Sequence, residues 1–195
     1  MLMKKTGKIR ASFVIILCAI VAVICIVRGI CSFRQTQTEY IPSQQYFNTA
    51  LNLIKNAEKS IYASIYIIKS NGDTESEKSP DRLLQGLIER HKNGIDVIVG
   101  LDQSYNYGSR RRVDAISDDA FLLLSTNGVA VWRDSPEQLM HAKVLVVDNR
   151  HVLIGSTNWT YSALNVNVES NVLIHSKKLA KEIISHFDSL REGNL

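Results

Sequence analysis

Beyond residue 31 this chain of 195 residues has no cysteine; Cys18, Cys25 and Cys31 all lie in or beside one apolar N-terminal run. That absence excludes a disulfide framework and a thiolate zinc site from the rest of the chain. His91, His151, His175 and His186 show no metal-ligand spacing, so chemistry without a metal or other cofactor is the expectation. A general basic surplus is missing too. The net charge is +4, but residues 1–31 hold five of the 23 Lys and Arg and no acid, leaving 18 basic against 19 acidic residues. Any attraction for a polyanion must therefore be local. No internal repeat is visible, so the length allows one domain plus an appendage.

What the N-terminus does hold is a long hydrophobic run. Residues 11–27 are seventeen positions without a charge, preceded by Lys4, Lys5, Lys8 and Arg10. A basic region at 1–10 followed by an apolar segment at 11–30 predicts an uncleaved membrane-spanning signal anchor. A cleaved signal peptide is the second reading and a buried core helix the third. The run exceeds the usual signal-peptide core of about 7–15 residues, and Arg28-Gly-Ile-Cys31 makes a poor cleavage site. Four cations before the run, against Arg28 and Arg34 after it, orient the N-terminus inward. The remainder is then expected outside the cytoplasm, periplasmic or extracellular, and secreted if the segment is removed.

A polar linker is expected over 31–43, and one α/β domain over 44–195. Ser43 predicts the cap of a helix running to about Glu58, with Phe47, Leu51 and Ile54 on one face. Ile61–Ile68 predicts a strand, and Ser79-Pro80-Asp81 opens a second helix that ends at Asn93-Gly94. Ile95–Leu101 is the next strand, and Asp114–Thr126 a third helix closed by Asn127-Gly128. Val129–Trp132, two further strands around Asp148 and Val172–Ile174 follow, before a last helix from Ser176. Strands alternating with helices imply a mixed sheet flanked by helices.

The densest chemistry lies in eighteen residues, His141 to Asn158, which read H-x-K-x4-D-x6-G-S-x-N. Lys143 to Val147 is a β-branched apolar strand, so His141 and Lys143 share a face. Asp148-Asn149-Arg150 is a turn into His151–Ile154. The hairpin's open end would then carry His141, Lys143 and the loop of Gly155, Ser156 and Asn158 side by side. A neutral imidazole is a competent nucleophile toward phosphorus. Lys143 supplies charge for the non-bridging oxygens, and Gly155 permits close backbone approach. Ser156 and Asn158 add phosphate-binding donors.

On these residues the chain resembles the phospholipase D superfamily, whose HKD motif they match. The motif occurs once, as in the small bacterial endonucleases and the mitochondrial cardiolipin hydrolase-like phosphodiesterases. The resemblance covers about residues 44–190 and implies the phospholipase D-like fold. It also implies hydrolysis of a phosphodiester through a covalent phosphohistidine on His141. Asp148 is a candidate catalytic residue, but its parity along the strand is opposite to that of His141, and a turn-fixing carboxylate is the other reading. Glu169, in Asn167-Val-Glu169, is the stronger candidate to orient the imidazole, as a carboxylate on Nδ1 would.

One motif supplies one imidazole, whereas the departing oxygen needs an acid. The expectation is a homodimer whose active site is shared across a two-fold axis. Tyr105, Tyr107, Arg110, Arg111 and Arg112 form the one local aromatic and cationic cluster suited to stacking bases and binding phosphates; a solvated loop is its plainer reading. Nucleic acid is therefore the first substrate expectation. A phospholipid headgroup is the second, and a non-catalytic, membrane-anchored, anion-binding dimer the third.

Overall fold

Buried β-branched runs alternate with capped amphipathic segments along the chain. In the computed structural model these assemble into a seven-stranded sheet with helices on both faces. Residues 17, 19–24, 36–103 and 116–193 are described. The elements are β1 (Gln37–Pro42), α1 (Ser43–Lys55), β2 (Ser60–Ile65), α2 (Pro80–Lys92), β3 (Asp96–Leu101), α3 (Asp118–Thr126), β4 (Ala130–Arg133), β5 (Lys143–Val147), β6 (His151–Gly155), α4 (Tyr161–Asn165), β7 (Ser170–His175) and α5 (Lys177–Arg191). The sheet order is β1-β7-β6-β5-β2-β3-β4. β2, β3 and β4 run parallel, and every other neighbouring pair is antiparallel. The mixed α/β sheet is the expected class.

Several boundaries have a local cause. Ser79 caps α2 by accepting the Asp81 N–H at 3.1 Å, with Pro80 in the first turn. Thr160 caps α4 and Ser176 caps α5 in the same way. Asp148 and Asn149 both take positive φ, 55° and 52°, which is the backbone of a tight primed turn between β5 and β6. One core lies between the sheet and helices α1, α2 and α3, with Phe47, Ile54, Leu84, Leu87 and Leu124 buried in it. A second lies under α5, where Phe187 and Ala180 meet Tyr62, Val144, Val146 and Val152. Two-sided burial explains why β5 is apolar on both faces, Lys143 excepted.

Several sequence expectations change. Ser43 is the first residue of α1 and not its cap; Pro42 precedes the helix and no side chain caps it. The linker expected over 31–43 gives way at Gln37, because residues 37–42 pair along their whole length with β7 as an edge strand. Polar residues there match the one-sided exposure of an edge, which composition alone reads as linker. The short helix α4 was also not foreseen. Residues 17, 19–24 and 36 fall in a separate N-terminal unit, Met1–Thr36, and 17 and 19–24 are helical. Among the described residues no helix is long and apolar enough to cross a membrane; most of the expected 11–30 segment lies outside the described residues.

Candidate active site

The topology sends seven strand ends to one edge of the sheet. β1, β2, β3, β4 and β6 finish there, and β5 and β7 begin there. That edge therefore gathers Ser43, Tyr66, Asp102, Asp134, the His141–Lys143 step, the 155–158 loop and Glu169. The loop is held down by Trp159, whose N–H donates to Ile67 O at 3.0 Å and whose indole donates to Tyr46 Oη at 3.0 Å. The expected convergence of His141, Lys143 and the Gly155–Asn158 loop is what the strand register produces, with Val144 opposite Ile154.

His141 is exposed, whereas Lys143 is only 7% exposed. Lys143 Nζ donates to the His141 carbonyl at 2.9 Å and lies 4.8 Å from the centre of the Tyr66 ring. The His141 ring is 4.4 Å from the same tyrosine, tilted by 54°. Burial pushes the His141 imidazole below its ordinary range, and the Lys143 ammonium adds to this, while Asp102 opposes it. The imidazole is thus held toward its neutral, nucleophilic form. Burial also lowers Lys143, and the charges of Glu169 and then Asp102 restrain that fall.

Glu169 sits at this edge but is not hydrogen-bonded to His141. Its carboxylate accepts from the Ser156 hydroxyl and from Asn167 Nδ2 at 2.9 Å. The Ser156 oxygen also accepts the Ser170 N–H at 3.0 Å. Ser156, expected as a phosphate donor, is here a strut for Glu169. Asn158 has a buried side-chain oxygen with no hydrogen-bond partner among the described residues. Gly155 also has a steric cause that the sequence does not show. A Cβ there would lie 2.4 Å from Ser170 O and 2.2 Å from Asn171 Oδ1, so glycine is required by the approach of β7.

Asp148 is corrected from catalytic candidate to structural residue. It lies at the far end of β5, about 17 Å from Lys143 at 3.4 Å per residue. There its carboxylate accepts the backbone N–H groups of Glu58, Lys59 and Ser60 at 2.7–3.2 Å. Tyr105, Tyr107, Arg110, Arg111 and Arg112 lie outside the described residues. Among the described residues no group of three or more His, Cys, Asp or Glu is arranged to hold a metal.

Four residues of this edge were not among the expected site residues. Ser43 holds both backbone groups of Glu169. Asn171 bridges β1 to the loop, from Thr157 N to Ile41 O. Asp102 is fully buried and accepts the Met140 N–H at 2.8 Å, next to His141. Asp134 is buried beside the end of β3; burial pushes its carboxyl up to about 6, against the Gln103 N–H and with the Asp102 charge. The available signal was an acid directly after a buried strand, in Leu101-Asp102 and Arg133-Asp134.

The family described as cardiolipin synthase, PLD-like domain, matches residues 50–191. The chain belongs to this PLD-like family. It is 27% identical over 144 residues to a mitochondrial cardiolipin hydrolase of Xenopus tropicalis, covering 74% of this chain and 60% of the relative. It is 26% identical over 149 residues to a 5'-3' exonuclease PLD3 of Xenopus laevis, covering 73% of this chain and 29% of that protein. The crystal structure of Nuc, a phospholipase D family member from Salmonella typhimurium, matches with a TM-score of 0.63 at 26% identity, covering 80% of this chain and 93% of Nuc. The PLD-like chain thus spans about two thirds or less of these two longer relatives but nearly all of Nuc.

Proposed function

We propose that the protein is a phosphodiester hydrolase working through a covalent phosphohistidine. The observation that carries this is the His141–Lys143 pair: an exposed imidazole held toward its neutral form beside a mostly buried ammonium. The imidazole attacks phosphorus; an N–P bond forms as the bond to the departing oxygen breaks. Lys143 stabilises the charge on the non-bridging oxygens, and the Asn158 amide adds a donor to them. A second imidazole, His141 of the partner subunit in a homodimer, donates the proton to the departing oxygen. Water then displaces the histidine and restores it.

Nucleic acid is the proposed substrate class, because Tyr105, Tyr107, Arg110, Arg111 and Arg112 bring aromatic and cationic side chains together in one short stretch of the sequence. A phospholipid headgroup is the second reading, favoured by the uncharged run at 11–27. That run is proposed to anchor the domain in a membrane, outside the cytoplasm. The full chain, assayed side by side on single-stranded DNA, RNA and phospholipid vesicles in the presence of EDTA, tests both. Turnover with a trapped phosphohistidine, lost in His141→Ala, is the expected result. Activity that vanishes in EDTA and returns with a divalent ion would overturn the mechanism.

A further inference from the structure

A histidine nucleophile needs its ring fixed so that the attacking nitrogen points along the line of displacement. A carboxylate on the far nitrogen is one way to do this. In this protein both oxygens of Glu169 are engaged by Ser156 and Asn167 instead. Tyr66 is what touches the ring, with centroids 4.4 Å apart. The same tyrosine face lies 4.8 Å from Lys143 Nζ, close enough for a cation–π contact. Its backbone N–H donates to Ala142 O at 2.7 Å, extending the β2–β5 pairing one step into the His-x-Lys segment.

The geometry points to Tyr66 as the positioning residue of the reaction, a rigid spacer whose ring sets the imidazole and the ammonium relative to each other. Three contacts from one residue reach all three members of His141-Ala142-Lys143. The ring is the working part, since it meets both side chains. Tyr66 is half-buried at the end of β2 and outside both apolar cores, so replacing it leaves the fold in place.

This inference rests on the phosphodiester reading above, and the test separates the two. Tyr66→Phe should keep kcat near wild type. Tyr66→Leu and Tyr66→Met, which fill space without a ring, should lose about 100-fold in kcat, the scale of a roughly 1 Å misplacement, with KM little changed. Independently of activity, the NMR signal of the His141 ring proton, shifted by the adjacent ring current, should move in Tyr66→Leu and stay in Tyr66→Phe. An unmoved signal in Tyr66→Leu overturns the placement. Wild-type kcat in both ringless variants, or a Tyr66→Phe as impaired as Tyr66→Leu, overturns the ring's role. A wild type inactive on every diester would instead remove the proposed function while the NMR result still decides the placement.

Discussion

The Ser43 hydroxyl accepts the Glu169 N–H at 2.6 Å and donates to the Glu169 carbonyl at 3.1 Å, tying the first turn of α1 to the entry of β7. The two residues are 126 positions apart. This clamp fixes the backbone of the acid whose charge acts on Lys143. Ser43→Ala removes both bonds at a mostly buried site, so it should cost about 1–3 kcal/mol. At about 2–4 °C per kcal/mol for a domain of this size, a thermal scan should show a clear drop in Tm. An unchanged Tm would mean that solvent satisfies both groups.

Asp148 separates structure from chemistry. Its carboxylate carries three backbone N–H groups at the start of β2, far from His141. Asp148→Ala should therefore lower stability by about 2–3 kcal/mol, the scale of hydrogen bonds to a charged group. The folded fraction should keep its kcat. A folded, stable Asp148→Ala protein without turnover would return this residue to the catalytic set.

That contrast shows what the chain disclosed as a string and what it did not. The alternation of strands and helices, the caps at Ser79 and Ser176, and the His141–Asn158 spacing are local patterns, written within a few residues. Parity along β5 already set Asp148 apart from His141. The Ser43–Glu169 clamp, the Tyr66 contacts and the placing of Asp102 under Met140 depend on which strands become neighbours. β2 meets β5 only after two intervening strands and two helices have formed. The steric demand for glycine at 155 is hidden in the string for the same reason, because the atoms that exclude a side chain belong to β7.

At the opposite edge, His151 and His175 face each other across β6 and β7 with Nδ1 atoms 2.6 Å apart. At that distance one ring must offer a lone pair to the other. Burial lowers His151 first, then the neighbouring His175 and Arg150 charges, with Asp148 opposing. A histidine whose folded pKa is depressed takes up its proton more readily in the unfolded chain. Its contribution to stability is thus complete above about pH 6.5, the ordinary histidine value, and is lost as pH falls toward the folded pKa. Tm should fall on acidification below that value, and His151→Gln should flatten the fall. An equal slope in the variant would assign the acid sensitivity to other groups.

The same linkage applies to activity through Asp102. His141 must be neutral to attack, and burial with Lys143 lowers its pKa while the Asp102 charge raises it. The acid limb of kcat/KM should therefore lie below about pH 6.5. Asp102→Asn keeps an acceptor for the Met140 N–H and removes the charge, so the limb should move further toward acid. A limb that stays in place, or moves toward neutrality, would show that Asp102 acts on the site only through position.

The Arg110-Arg111-Arg112 step decides between the two substrate classes. If nucleic acid is bound, replacing all three with Ala removes up to three phosphate contacts. The log–log salt dependence of single-strand binding should then flatten by about 0.7 per lost contact. Short diesters that reach only His141 and Lys143 should be hydrolysed nearly as before, because their phosphate never meets the arginines. For a lipid headgroup the same change should act mainly on anionic vesicles, where each cation near the surface contributes about 1 kcal/mol. Binding measured across a salt series, on single strands and on vesicles in parallel, separates the outcomes. An unchanged slope on single strands together with lost vesicle binding would reject nucleic acid in favour of the lipid.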